Sequence, residues 1–221
     1  MKEADTAHKY WNEAWGDAAK REDWMKPEAE IASFATRLSP GSRVLDLGCG
    51  VGRHALMYAA QGHNVTALDA AADGLAELSR EAEAAGLCVD ARLGKMDALP
   101  FDDGAFDHVL SFNVIYHSDE EILIRTIAEV RRVLRPGGTY QGTMLTLQGL
   151  ALTHAKLSGG REISRNTWVF DDDEGDKRHP HHFCGTADLM HLFQGFEILR
   201  VDTDKPEGGK GGRWRLILER L

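Results

Sequence analysis

The fold is decided by one stretch of the chain, Val44-Leu45-Asp46-Leu47-Gly48-Cys49-Gly50-Val51-Gly52-Arg53-His54. Its first four residues predict a short buried strand, because three of them are large and apolar. The three glycines that follow at alternate positions let the backbone turn tightly and approach a ligand without a Cβ atom in the way. The helix that begins after them then presents its amide groups to that ligand.

The spacing of these glycines argues against two familiar nucleotide-binding motifs. A dinucleotide fingerprint places its third glycine one residue later, where Arg53 stands, and a phosphate-binding P-loop ends in Gly-Lys-Ser/Thr. What is left is an acidic residue, Asp46, two positions before a Gly-x-Gly-x-Gly loop. The reading that needs no ligand is a tight turn between a strand and a helix.

The stretch from Asp46 to Gly52 resembles the cofactor loop of class I S-adenosylmethionine-dependent methyltransferases. In that family the loop holds the methionine end of the cofactor, whose demethylated product is S-adenosylhomocysteine. A carboxylate beside a glycine turn can face the ammonium group of such a cofactor. The resemblance implies cofactor contacts from Asp46, Gly48, Cys49, Gly50, Gly52 and Arg53.

The composition is that of one soluble globular domain, and we expect residues 1–221 to form it. No apolar run approaches the roughly 20 residues of a membrane span, so no membrane partner is expected. The net charge of -9 repels phosphate backbones, which disfavours nucleic acid as a partner. The polar first residues lack the apolar core of a secretory signal, which predicts a cytoplasmic protein. The three widely spaced cysteines predict free thiols.

A second strand is predicted over 64–69 and ends in a carboxylate, Asp69. This residue follows the glycine loop by about 20 positions, where a ribose-binding acid belongs. Asp69 and the adjacent Ala70 are therefore predicted cofactor contacts. The alternative role for Asp69 is to cap the helix predicted over 71–85.

A third strand over 88–92 leads into Gly94-Lys95-Met96-Asp97-Ala98-Leu99-Pro100-Phe101. The resemblance to the methyltransferase family continues here, because an Asp before Leu-Pro-Phe commonly receives the adenine amino group. It implies adenine contacts from Met96, Asp97 and Ala98, and a thioether packs well on an aromatic ring. The alternative for Asp97 is a local Asx turn.

A fourth strand over 106–112 is followed by Asn113-Val114-Ile115-Tyr116-His117. Ligands of open α/β sheets bind at the carboxyl ends of the strands, so Asn113, Tyr116 and His117 are expected to face the transferred methyl group. The next helix is predicted to stop at Pro136-Gly137-Gly138, before a strand over 139–147. A lone histidine such as His117 can equally be a satisfied structural residue.

The sequences of two further segments predict what forms the entrance to the site. The aromatic N-terminal region, 6–38, is predicted to form a helical cap that either packs on the core or closes over the cofactor. The region 148–185 has no sustained helical period, and we expect it to be a long loop inserted beside the acceptor pocket.

Three histidines and a cysteine, at 179, 181, 182 and 184, end this insertion. These residue types can bind zinc, but the adjacent His181 and His182 point apart in an extended chain. We therefore predict no metal. His181 and His182 are interpreted as lining the acceptor pocket, with a surface or packing role as the alternative.

The order of these motifs predicts an α/β, Rossmann-like three-layer sandwich with a mostly parallel seven-stranded sheet and an antiparallel last strand. The family resemblance implies methyl transfer to a small-molecule acceptor by a monomer or homodimer. A weaker resemblance to enzymes of the tellurite-resistance and thiopurine type implies a soft sulfur, selenium or tellurium nucleophile. The alternative acceptor is an amine or hydroxyl, for which His117 is the first candidate base. Tyr116, His154 and the histidines near position 180 are the further candidates.

Three other functional classes stay open at this point. A nicotinamide-dependent oxidoreductase is disfavoured by Arg53, and an RNA methyltransferase is disfavoured by the negative charge of the chain. A non-catalytic S-adenosylmethionine-binding protein would keep the glycine loop and lack an acceptor cavity.

Overall fold

The computed structural model describes residues 6–17, 21, 24–171, 173–203 and 212–221. Parts of the predicted domain, 1–221, and of the predicted cap, 6–38, therefore lie outside the described residues. Among those described, no helix is both long enough and apolar enough to span a bilayer.

The strands and helices alternate along most of the chain, as the motif order predicted. The strands are β1 (Arg43–Leu47), β2 (Asn64–Asp69), β3 (Val89–Leu93), β4 (Phe106–Ser111), β5 (Leu134–Thr146), β6 (Gly160–Ser164), β7 (Thr167–Phe170), β8 (His181–Cys184), β9 (Phe196–Thr203) and β10 (Arg213–Arg220). The helices are α1 (Ala7–Gly16), α2 (Ala29–Ala35), α3 (Arg53–Ala60), α4 (Ala72–Ala85), α5 (Glu120–Val133), α6 (Leu147–His154) and α7 (Thr186–Leu192).

Seven of the strands form the sheet that the sequence predicts, in the order β3-β2-β1-β4-β5-β10-β9. Strands β1 to β5 run parallel, and β10 is antiparallel to both of its neighbours. The predicted α/β Rossmann-like fold with an antiparallel last strand is thereby confirmed. Strand β2 lies on one side of β1 in the sheet, and β4 lies on the other side. The connections that follow β1 and β4 therefore lead away from each other, and a cleft opens at the carboxyl ends of these two strands.

Helices cover both faces of this sheet, because successive residues of a buried strand point to opposite sides. In β1, Val44 belongs to a core that contains Tyr58 of α3 and Leu78 of α4. The next residue, Leu45, belongs to a second core that contains Leu123 of α5. Both faces of β1 are therefore buried, as expected for a central parallel strand.

The structure corrects the prediction of a long loop over 148–185. Helix α6 and strands β6, β7 and β8 lie in this region, and the strands extend the sheet to ten. Strand β8 pairs in parallel with the end of β5, where Leu145 faces Phe183. Strands of four or five residues are too short for a clear periodic signal, and their pairing partners are distant in sequence.

The predicted helix stop at Pro136-Gly137-Gly138 is also displaced. Helix α5 already ends at Val133, and Leu134 begins β5. The Pro-Gly-Gly residues lie where the register between β4 and β5 shifts, after the pair Phe106 and Leu134 and before the pair His108 and Thr139. An irregularity in the ladder accommodates them, since proline has no N–H to donate.

Candidate active site

A cavity of about 1030 Å³, counted to its open mouth, lies at the carboxyl ends of β1, β2 and β4. Its walls come from the glycine loop, the turn after β3, the segment after β4 and helix α1. Of the predicted site residues, those lining it are Asp46, Gly48, Cys49, Gly50, Arg53, Asp69, Ala70, Met96, Asp97, Asn113 and His117.

The three glycines of the loop all have positive φ angles, of 70° at Gly48, 53° at Gly50 and 82° at Gly52. A Cβ atom on Gly48 would lie 2.3 Å from Val114 Cγ1, and one on Gly52 would lie 2.2 Å from Leu78 Cδ1. Glycine is therefore needed for close packing against neighbouring side chains as well as for the turn. Gly52 lies outside the cavity lining and forms the N-cap of α3.

Asp46 is buried at the end of β1 with 2% of its surface exposed. Its Oδ2 accepts a hydrogen bond of 3.0 Å from the backbone N–H of Ala55, in the first turn of α3. Burial raises the pKa of Asp46 to about 7, against the opposing effect of this hydrogen bond. A ligand cation in the cavity would favour the ionised form of this carboxyl group.

Asp69 lies at the end of β2, and two backbone groups fix its carboxylate. Oδ2 accepts from the N–H of Gly50 at 2.8 Å, and Oδ1 accepts from the N–H of Ala71 at 2.7 Å. The N-cap of α4 is Ala71, so Asp69 does not have the predicted alternative role as the cap of this helix. Each carboxylate oxygen keeps a lone pair for a ligand hydroxyl.

Asp97 and Met96 line the cavity at the turn after β3. Asp97 Oδ2 accepts from Nε and Nη2 of Arg125 at 3.1 and 2.9 Å. Arg125 was not predicted as a site residue, because it lies on α5 and no local sequence signal links it to Asp97. Ala98 is exposed and lies outside the cavity lining.

Tryptophans close the cavity on the side of α1, and they were predicted as part of the cap but not as individual site residues. Trp11 stacks on Trp15 with ring centroids 5.0 Å apart, and Trp24 packs edge-on against both rings. All three line the cavity. Helix α1 is held in place by Asn12, whose side chain donates to Asp73 Oδ2 at 3.1 Å and accepts from the Asp73 N–H at 3.0 Å.

A second, wide cleft adjoins the cavity and shares Trp24, Arg53 and Asn113 with it. It is open to solvent and measures about 1790 Å³. Much of its wall comes from the inserted region, which contributes Gly149, Leu152, Thr153, Lys156, Leu157, Asp173, Lys177 and Phe183.

His117 is the predicted catalytic residue that reaches the cavity wall. Its ring lies 5.9 Å from that of Trp11 and 4.6 Å from that of Tyr116, measured between centroids. Burial, together with the charge of the neighbouring His181, lowers the pKa of His117 well below its usual range. The imidazole is therefore neutral at physiological pH.

The other predicted catalytic residues lie outside the cavity lining, and all of them except the exposed His154 are buried. Tyr116 packs against both His117 and His181. His181 is fully buried, with its ring centroid 4.5 Å from that of His117. His182 points the other way and bonds through Nδ1 to Thr167 Oγ1 at 3.0 Å, as alternation along β8 requires. His154 packs against Trp168 and lines neither the cavity nor the adjoining cleft.

Residues 44–138 match a family of methyltransferase domains. The chain is 34% identical over 128 residues to a malonyl-[acyl-carrier protein] O-methyltransferase of Serratia marcescens, a match that covers 57% of this chain and 48% of the relative. The chain thus spans about half the length of the curated relatives it matches.

Solved structures with the same fold cover nearly the whole chain. The PH0226 protein of Pyrococcus horikoshii matches with a TM-score of 0.74 at 20% identity, over 94% of this chain and 93% of that one. The 1,6-didemethyltoxoflavin-N1-methyltransferase of Burkholderia thailandensis, solved with S-adenosylhomocysteine and 1,6-didemethyltoxoflavin bound, matches at 0.71 and 16% identity, over 100% and 92%. These likenesses show the fold. Over residues 44–138 the chain therefore matches a family of methyltransferase domains, and its fold is that of these solved structures.

Proposed function

We propose that this protein transfers a methyl group from S-adenosylmethionine to a small-molecule acceptor. The observation that carries the proposal is the single cavity into which the ends of β1, β2 and the turn after β3 each bring a carboxylate, namely Asp46, Asp69 and Asp97. Their order along the sheet fits a cofactor laid across the strand ends. Asp46 would face the ammonium group, Asp69 the ribose hydroxyls and Asp97 the adenine amino group.

The geometry fits methyl transfer because the cavity is walled on one side and adjoins a cleft on another. The tryptophans of α1 and Trp24 shield the cofactor side from water. The adjoining cleft, built largely from the insertion, gives an acceptor access past Asn113 and Arg53. The acceptor's lone pair would form a bond to the methyl carbon as the carbon–sulfur bond breaks and S-adenosylhomocysteine leaves. Alignment of the two reactants can contribute on the order of 7 to 11 kcal/mol to such a step.

Two acceptor classes fit this site to different degrees. A soft sulfur, selenium or tellurium nucleophile, implied by the subgroup resemblance, needs little beyond alignment. An amine or hydroxyl needs a group that takes its proton. The imidazole of His117 lies at the cavity wall, but the burial that lowers its pKa also makes it a weak base. The O- and N-methyltransferase names of a relative and of a structural neighbour favour this second class. Labelled S-adenosylmethionine, incubated with a panel of thiols, chalcogen oxyanions, amines and phenols, distinguishes the two classes.

Calorimetric titration with S-adenosylhomocysteine tests the cofactor assignment. We expect micromolar affinity, and we expect Asp69→Ala to weaken it by about 10- to 100-fold, because a hydrogen bond to a charged group contributes about 1.5 to 3 kcal/mol. Asp90→Ala is the matched control, since Asp90 is an exposed carboxylate on the neighbouring strand β3 that pairs with Arg92. Absence of binding, or tight binding of NADH in its place, would contradict the proposal.

A further inference from the structure

Three side chains that commonly bind metals meet beside the cavity, although they are far apart in the sequence. A ring nitrogen of His117, a carboxylate oxygen of Asp176 and a ring nitrogen of His181 all lie within 4.8 Å of one another. His117 follows β4, Asp176 lies in a short 3-10 turn at 176–178, and His181 begins β8. The pairing of β8 with β5 brings the insertion back against the segment after β4.

The hydrogen bonds of His181 leave two acceptors facing each other. Its Nδ1 lies 2.9 Å from the carbonyl oxygen of His179, so this nitrogen carries a proton and donates it. In the neutral ring, Nε2 then carries a lone pair, and it lies 3.3 Å from Asp176 Oδ2. A lone pair and a carboxylate oxygen at this distance need a cation or a shared proton between them.

His117 brings a third ligand atom, one of its two ring nitrogens, to the same place. Its Nδ1 is buried and has no hydrogen-bond partner among the described residues. A buried polar atom without a partner costs about 1 to 3 kcal/mol. A cation bound between the three side chains would satisfy the facing pair of acceptors and would be coordinated by a ring nitrogen of His117.

We infer that His117, Asp176 and His181 form a binding site for one divalent first-row transition metal ion of the zinc type. Two imidazoles and a carboxylate are ligands that suit zinc, iron and nickel ions, and three protein ligands leave a coordination position open. At metal–ligand distances of about 2.1 Å the ligand atoms of a tetrahedral site lie about 3.4 Å apart. The pair of Asp176 and His181 already has this separation, and the remaining distances need a modest closing of the side chains.

The position of the site gives the ion a role at the acceptor. His117 lines the cavity, and Lys177, next to Asp176, lines the adjoining cleft. An acceptor hydroxyl or thiol bound at the open position would have a lowered pKa and would release its proton to solvent water in the adjoining cleft, without a protein base. This role rests on the proposed function, whereas metal binding itself does not and can be measured without an acceptor.

Lys177 provides a rival explanation for the charge of Asp176. Its Nζ lies 3.8 Å from Asp176 Oδ1, the oxygen that does not face His181. An ammonium group this close repels a metal ion. Replacing it by an uncharged side chain of similar length, Lys177→Met, should therefore tighten metal binding while leaving all three ligands in place.

Metal titration of the chelator-stripped protein tests the site directly. We expect calorimetry to show that the protein binds one equivalent of Zn²⁺. We expect the protein to bind one equivalent of Co²⁺ as well, and the visible d–d absorption bands of the bound Co²⁺ should be those of a low-symmetry coordination site. Asp176→Asn and His181→Gln should each weaken Zn²⁺ affinity by at least about 100-fold. The matched control is His182→Gln, which removes the next imidazole along β8 and should leave Zn²⁺ affinity unchanged.

Binding of S-adenosylhomocysteine to each variant reports whether the fold and the cofactor cavity persist, so failure of the metal site is distinguishable from failure of the proposed function. Wild-type protein that takes up no stoichiometric Zn²⁺ or Co²⁺ overturns the inference, and the acceptor pair is then bridged by a proton. Equal loss of affinity in His182→Gln overturns it as well. If the ligand variants do not fold, Zn²⁺ titration of the wild type and of Lys177→Met tests the site instead. Tighter Zn²⁺ binding by Lys177→Met supports the site, and unchanged binding opposes it.

Discussion

The burial of the Asp46 carboxyl group makes the stability of the folded chain depend on pH. In the free protein its pKa is raised to about 7, from an ordinary value of 3.8, because it is removed from water. The folded chain therefore holds a proton that the unfolded chain has lost between these two values. This contribution to the free energy of unfolding is present at low pH and is lost as pH rises from 3.8 toward about 7.

Cofactor binding should have the opposite pH dependence. The ammonium group of S-adenosylhomocysteine favours ionised Asp46, so we expect affinity to fall by up to about tenfold per pH unit below 7 and to level off above it. Asp46→Asn keeps an acceptor for the Ala55 N–H and removes the titration. Calorimetry from pH 5.5 to 8 should therefore give a flatter and weaker profile for this variant. A wild-type profile without slope in this range would show that Asp46 does not face the ammonium group.

At the scale of elements, helix α1 reaches the cofactor loop through a contact that depends on a glycine of α4. A Cβ atom on Gly74 would lie 2.8 Å from the backbone oxygen of Gly50 and 2.9 Å from Trp15 Cδ1. The first of these is a main-chain atom, so a side-chain rotation cannot relieve the clash. The close approach of α1, α4 and the loop therefore requires glycine at this position.

We expect Gly74→Ala to lower the free energy of unfolding by about 1 to 3 kcal/mol despite the higher helix propensity of alanine, because the packed elements must move apart. It should also weaken S-adenosylhomocysteine binding, since Trp15 lines the cavity. Gly16→Ala is the control, because its Cβ would meet Asp73 Oδ2 at 3.4 Å, an ordinary contact. Urea unfolding and calorimetry measure the two effects, and equal stability of both variants would rule out the steric explanation.

At the scale of the whole molecule, the cavity joins parts of the chain that belong to different layers. Its walls include α1, the strand ends of β1 and β2, and the segment after β4. A ligand bound there stabilises the folded chain by mass action. At a concentration one hundred times its dissociation constant, this contribution is about 2.7 kcal/mol.

S-Adenosylhomocysteine at that concentration should therefore raise the melting temperature by roughly 5 to 10 °C in a chain of this size. Differential scanning calorimetry measures the shift, and the same concentration of NADH should produce none. Asp69→Ala should show a smaller shift at equal ligand concentration. An unchanged melting temperature of the wild type would contradict the assignment of the cavity to this cofactor.

The sequence by itself determined the seven-stranded sheet and the carboxylates at the ends of its strands. The strand that ends at Asp46 and the strand that ends at Asp69 have regular apolar patterns, and the glycines between them have a spacing that distinguishes this loop from nucleotide-binding loops. Parallel strands place their carboxyl ends at one edge of the sheet, so these two carboxylates had to converge. For this reason local pattern was enough to predict the strands of the seven-stranded sheet and the place of Asp69 in the cavity lining, whereas Asp46 and Asp97 were predicted from the family resemblance.

Only the tertiary structure decided which residues surround the proposed acceptor site. The insertion was expected to be a loop, but β8 pairs with β5 and carries His181 to within 4.5 Å of the ring of His117. The pairing of Arg125 with Asp97 and the packing of Trp15 on Gly50 likewise join residues that are distant in the chain. Sequence periodicity encodes the local element and its buried face, whereas contacts between distant elements depend on how short strands and helices pack in three dimensions.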